Sequence, residues 1–183
     1  ISIILTMLTS MVIVAAVSTG HTLTKVVDDF VRDYKAEDAE FVTYQPLSDA
    51  DMEKLEQEYD VILEHSRYKD VNVKSGDLKG ATIRVFPMPE KLNLCEVRDG
   101  HEPGDGEALL TQDFADMHDI RVGDTISLGA YAYKVSAYTT KADYIYMLEK
   151  LSGYIDSEKF ALVVVNRKEY DNIDSDETMK FYN

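Results

Sequence analysis

The period of the apolar positions changes several times along this chain, and each change predicts an element. Residues 1–20 carry no charged side chain, and the run ISIILTMLTSMVIVAAV is broken only by Ser and Thr. About 20 such residues suffice to cross the hydrocarbon core of a bilayer. Ser and Thr fit such a helix because their hydroxyls bond to carbonyls of the preceding turn. Past the run, Leu23, Val27, Phe30, Val31 and Tyr34 keep a helical stripe among charged neighbours. Residues 1–36 are therefore predicted to be a transmembrane helix that leaves the membrane and continues as a stalk. A cleaved leader ending near Ala16, Val17 and Ser18 is the competing reading, and the continuing stripe favours the membrane helix. With neither an initiator Met nor a basic leader, the chain is expected to be an internal piece of a longer protein.

Beyond the stalk, residues 40–44 (EFVTY) read as a strand. Ser48 is placed to cap a helix, with Asp51 at its third position and Leu47 and Met52 at the spacing of a hydrophobic staple. Met52, Leu55 and Tyr59 would be the buried face of that helix. A strand region over residues 61–73 follows, then a turn at residues 75–77 and a strand over residues 81–86 with Ile83 and Val85 on one face. Pro87 and Pro89 break regular structure. Residues 99–106 (DGHEPGDG) are a polar linker.

The run 106–138 then packs several signals together: a strand over 107–110, Thr111 as N-cap, and a helix over 112–118 with Phe114 and Met117 on one face. Gly123-Asp124 marks a turn, and Gly129-Ala130 closes a hairpin whose returning strand carries Tyr131, Tyr133 and Val135. Residues 143–151 read as helix or turn, residues 169–173 as a short helix, and residues 174–177 as an acidic linking stretch. Residues 160–165 (FALVVV) are a continuous apolar run, which predicts a strand buried on both faces rather than an edge. The simplest way to bury it is to return it to the sheet of the first lobe. The predicted fold class is thus α+β: a mixed-sheet lobe with packed helices plus an inserted small β-rich module, preceded by an N-terminal transmembrane helix. The lobe is discontinuous, over residues 37–105 and 155–183, with the module at residues 106–154.

Composition narrows the chemistry. The 183 residues hold 34 acids against 19 Lys and Arg, for a formal charge of −15, which would repel nucleic acid and anionic lipid surfaces. Cys95 is the only cysteine, so no intrachain disulfide forms. There is no phosphate-binding loop, dinucleotide fingerprint, HExxH sequence or recognisable nucleophile context. Residues 99–106 invite a calcium site, but their spacing fails the EF-hand pattern. His21, His65, His101 and His118 are scattered, with surface or turn roles expected of them. No catalytic, cofactor-binding or metal-ligating residues are expected. Tyrosine suits recognition surfaces, and Tyr131, Tyr133, Tyr144 and Tyr146 are the candidate partner-binding surface. Core and strand roles are the competing reading for them.

The run Val122-Gly123-Asp124-Thr125-Ile126, followed by Tyr133-Lys134-Val135, resembles the extracytoplasmic core domain of FtsX-like and MacB-like ABC transporter permeases. Residues 100–103 are similar to the family's Gly-Arg-x-Pro approach, with His101 where the family has Arg. Residues 143–146 (DYIY) resemble a segment of large Gram-positive members. The resemblance implies a non-catalytic permease subunit in the cell membrane, with its main domain outside. It implies a cytoplasmic ABC ATPase on a separate chain and a second permease half or a homodimer. The work would fall on an extracytoplasmic lipoprotein, lipid, peptide or cell-wall protein, by mechanotransmission or export. Two other classes remain open from the residues themselves: a membrane-anchored binding or sensor ectodomain without a transport role, and a secreted hydrolase.

Overall fold

Helix α1 (Ser2–Asp33) carries the uncharged run from Ser2 onward and most of the stalk stripe, from Leu23 to Val31, as one unbroken element of 32 residues. It belongs to a computed structural model that describes residues 2–41, 43, 45, 47–144 and 156–174. At 1.5 Å per residue α1 is about 48 Å long, against about 30 Å for a bilayer's hydrocarbon core. It is long and apolar enough to span a membrane, and none of its apolar window is buried in the protein. Ile3, Leu8, Val12, Ile13 and Val17 all stand exposed. Thr9, Ser10, Thr22 and Thr24 donate their hydroxyl protons to the carbonyls of Leu5, Thr6, Ser18 and Gly20 at 2.8–3.0 Å, as expected of hydroxyls in a membrane helix.

The rest is built on one mixed sheet. Its strands are β1 (Lys69–Asn72), β2 (Thr82–Pro87), β3 (Cys95–Arg98), β4 (Glu107–Thr111), β5 (Thr125–Leu128), β6 (Tyr131–Lys141) and β7 (Phe160–Val165). Their spatial order is β1-β2-β7-β4-β6-β3, with β5 also on β6. β7 runs parallel to β2 from Thr82↔Phe160 to Pro87↔Val165, and antiparallel to β4 at Leu109↔Val164 and Leu110↔Val163. It therefore does return to the strands of the first lobe. It also joins them to those of the 106–138 run, so all lie in one sheet. All six β7 side chains are buried because the two faces of the strand enter two cores. Ala161, Val163 and Val165 pack with Ile83, Val85, Leu110 and Phe114 on one face. Phe160, Leu162 and Val164 pack with Phe86 and Leu109 on the other.

Local chemistry explains the shorter elements. Helix α2 (Asp49–Tyr59) starts where expected: the Asp51 N–H donates to the Ser48 hydroxyl, which donates in turn to the Asp51 carboxylate at 2.7 Å. β5 and β6 close on Gly129-Ala130 with Leu128 opposite Tyr131. Gly123 sits at φ +100°, a conformation that a Cβ resists. At Gly100 the constraint is space instead, since a Cβ there would lie 1.9 Å from the Ser136 carbonyl oxygen.

Several expectations need correction. Residues 40, 41 and 43 form no strand, and Phe41 stands exposed, so the alternation there meets no sheet face. The strand expected over residues 61–73 shrinks to β1, because residues 61–68 join no sheet ladder. Tyr59 is 64 % exposed and Met117 60 % exposed, so neither helix buries the full stripe read from its spacing. Thr111 does precede helix α3 (Gln112–Met117), but its side chain caps nothing. Its hydroxyl accepts instead from the Leu162 N–H, extending the β4–β7 ladder past the point where β4 turns into helix. The expected 169–173 helix is α4 (Arg167–Asn172), capped by the Asn166 side chain. The strand β3 had no sequence signal.

Candidate functional site

One concavity is a cleft of about 270 Å³ between α2, the segment 63–67, the loop after β2 and helix α4. Three carboxylates hold its walls. Glu64 accepts from the successive backbone N–H groups of Glu90, Lys91 and Leu92 at 2.6–2.8 Å, which folds that loop around it. Glu56 accepts from the Leu63 N–H and from the Lys91 ammonium. Those two bonds, the Leu63 N–H first, hold the Glu56 carboxyl below its ordinary pKa. Glu37 is hydrogen-bonded by the Asn93 amide at 2.7 Å, yet burial keeps its pKa raised.

Asn93 also joins the cleft to the stalk. Its N–H donates to the Lys35 carbonyl and its side-chain oxygen accepts from the Glu37 N–H, while the Leu94 N–H donates to the Tyr34 carbonyl. Lys35 and Asn93 both take positive φ to make this crossing. Asn93 is 6 % exposed. The segment just past α1 is thus tied to the loop that walls the cleft.

The cations of the cleft divide into two kinds. The Lys141 ammonium is buried at its foot, paired with Asp143 at 2.5 Å and lying 4.9 Å from the Phe86 ring centroid. His65, Arg67 and Arg167 line another part of it. Among the described residues none of these three side chains has a hydrogen-bond or ion-pair partner, and His65 Nδ1 and Arg67 Nε are buried without one. Burial lowers the His65 pKa, and the charges of Arg67 and then Arg167 act in the same direction, against Asp49.

The described tyrosines of the sequence-predicted surface, Tyr131, Tyr133 and Tyr144, do not form one exposed patch. Tyr133 is 2 % exposed and packs in the core; burial pushes its pKa up to about 12. Tyr131 packs against the same core, and its hydroxyl donates to the Asn172 carbonyl and accepts from the Asp174 N–H, tying the hairpin to the end of α4. Tyr144 lies on the opposite face of the sheet, where its hydroxyl accepts from Arg84. Tyr146 lies outside the described residues. The three described tyrosines are drawn inward because each ring has a core to enter; the hydroxyls of Tyr131 and Tyr144 find partners there, and that of Tyr133 is buried without one.

Nor do the histidines meet. His21 is on α1, His65 is in the cleft, His101 lies 3.1 Å from Glu107, and His118 Nε2 is 2.8 Å from the Glu158 carbonyl. No group of three potential metal ligands forms among the described residues. Sequence reasoning missed Arg67, Arg167 and Asn93. The only available signal was the rarity of cations in so acidic a chain.

No protein family, curated protein or solved structure matches the chain.

Proposed function

We propose that this chain is the extracytoplasmic domain of an ABC transporter permease subunit, anchored by α1 and coupling ATP hydrolysis on a separate cytoplasmic chain to work outside the membrane. The observation that carries the reading is the unbroken path from a membrane-length helix into the Asn93 tie. A displacement of α1 along its axis reaches the cleft loop through short hydrogen bonds rather than through a slack linker. The GDT hairpin and its resemblance, whose predicted turn geometry is present, support the same class. The ATPase, a second permease half or copy, and a lipoprotein, peptide or cell-wall protein outside are the partners this reading implies.

A membrane-anchored binding or sensor ectodomain is the second reading, and the open cleft beside the stalk tie favours it. The test is purification of the parent protein from its native membranes in mild detergent. The permease reading expects an associated ATPase, and no binding of Mg-ATP by this chain alone in isothermal titration. Micromolar Mg-ATP binding by the chain itself overturns it. A preparation without an associated ATPase favours the sensor.

A further inference from the structure

Among the described residues, the hydrogen bonds that join residues 22–37 to the domain all fall on Asn93 and Leu94. The Asn93 N–H donates to the Lys35 carbonyl at 2.9 Å and the Leu94 N–H to the Tyr34 carbonyl at 2.8 Å. The Glu37 N–H donates to the Asn93 side-chain oxygen at 3.0 Å, and the Asn93 side-chain amide to the Glu37 carboxylate at 2.7 Å. No described stalk residue belongs to either apolar core, and Phe30 and Tyr34 stack on each other, with ring centroids 4.7 Å apart. An attachment made of hydrogen bonds without a buried apolar seam is weak, because each bond formed replaces a bond to water. Lys35 supplies a bend at its root: at φ +49° it ends α1 in a left-handed cap, with the Ala36 N–H on the Val31 carbonyl. The docked groups lie past the end of α1, so they can leave the domain without unwinding the helix.

One member of this tie carries a charge. Glu37 is half-buried, and its carboxylate is held by a neutral amide rather than by a cation. Lys141 faces it from β6 but is committed to Asp143 at 2.5 Å, while Asp143 faces it from the turn after β6 and Glu40 from its own segment. Docking thus takes a carboxylate out of water and sets it beside two further acids and one cation that is already paired. A protonated Glu37 avoids that cost, and its carbonyl oxygen still accepts from Asn93. We infer that the stalk docks on the domain through a reversible latch at Asn93, and that a proton on Glu37 closes it. Burial, the largest influence, raises the Glu37 pKa and Asp143 and Glu40 add to it, against the Asn93 hydrogen bond and Lys141. The undocked state, with Glu37 in water at its ordinary 4.5, holds the proton less tightly. The docked fraction therefore rises as pH falls through the raised value and levels off below 4.5. The latch stands on the tie alone and serves a permease or a sensor equally: closed, it connects α1 to the loop of the cleft; open, it frees the two from each other.

The test is amide hydrogen exchange on the full chain in detergent micelles, followed by nuclear magnetic resonance from about pH 7.5 to about pH 5.5 and expressed as protection relative to an unstructured chain at the same pH. The readout is the amides of Glu37, Asn93 and Leu94, with Leu162, Val163 and Val164 of β7 as the control. The three latch amides should open together, at least about tenfold more readily than those of β7, and their protection should rise on acidification while that of β7 does not. N93G keeps the left-handed backbone and removes the two side-chain bonds; it should lower the protection of Leu94 about tenfold and leave β7 unchanged. E37Q keeps an acceptor for Asn93 without the charge, so its latch should be tighter than the parent's at the upper end of the pH range and should lose the pH dependence. Latch amides as protected as β7, unchanged protection in N93G, a pH dependence that persists in E37Q, or none in the parent each overturns the proposal. Each of these results is independent of whether an ATPase accompanies the chain, so the latch and the permease reading fail separately.

Discussion

Two arginines on neighbouring parts of the domain show what a satisfied and an unsatisfied cation look like in the same chain. Arg84 is on β2, with its side chain 8 % exposed. Asp70 grips it with both oxygens at 2.7 and 2.8 Å, the Tyr144 hydroxyl accepts at 3.0 Å, and the Tyr68 ring lies 4.0 Å from its guanidinium carbon. Desolvation works against that charge and is the largest single effect on it, but the interactions with Asp70 and Tyr144 together outweigh it and the pKa stands above the ordinary arginine value. Arg67, two residues before β1, has none of this. The difference separates a cation whose buried donors are satisfied from one whose buried Nε has no partner among the described residues. Burial alone does not distinguish them; the census of partners does.

The comparison breaks first at Arg84. R84A leaves Asp70, 16 % exposed, beside an apolar gap, and should cost about 3 kcal/mol, the scale for removing one partner of a buried pair. Thermal unfolding followed by the near-ultraviolet dichroism of the tyrosines reads it; a loss below about 1 kcal/mol would put Arg84 in the same class as Arg67. D70N should cost less, about 2 kcal/mol, because Tyr144 and the Tyr68 ring still hold the guanidinium. By contrast, R67Q should change stability by no more than about 0.5 kcal/mol, since no contact that holds the fold is lost. A large loss in the same melt would reveal a structural role.

The smallest effect sharpens the contrast through pH. His65 has its pKa lowered by burial and then by Arg67, so the unfolded state, with the ordinary 6.5, takes up its proton first on acidification. Its cost is absent well above 6.5 and grows as pH falls below that value toward the lowered folded pKa. Removing the Arg67 charge lifts the folded pKa, so R67Q should lose less stability than the parent between about pH 7.5 and 5.5. Equal acid sensitivity in the two proteins would show that Arg67 does not act on His65.

Much of the fold was legible because it is made by neighbours in sequence. α1 follows from an uncharged run whose hydroxyls bond back to their own helix, the Ser48 cap from groups three residues apart, and the hairpin from two turn residues between alternating strands. The double burial of β7 followed from six apolar residues in a row. Whether the tyrosines face a partner or a core was not legible, for the opposite reason. Period-2 spacing puts Tyr131 and Tyr133 on one face of a strand but does not say whether that face meets water or a core.

What the sequence alone determined is therefore the set of elements whose hydrogen bonds and apolar periods close within a few residues: the membrane-length helix, the capped helix α2, the hairpin and the apolar strand. Only the tertiary structure decided the rest. It set β7 between β2 and β4, gave Asp70 to Arg84, drew Thr111 from its helix to the Leu162 N–H, and tied Asn93 across 56 positions to Glu37. It also brought His65, Arg67 and Arg167 to one cleft, with His65 Nδ1 and Arg67 Nε buried and without a partner among the described residues. Whether a charge is satisfied depends on groups far apart along the chain, because a carboxylate acts over a few ångströms of space and not over a number of residues.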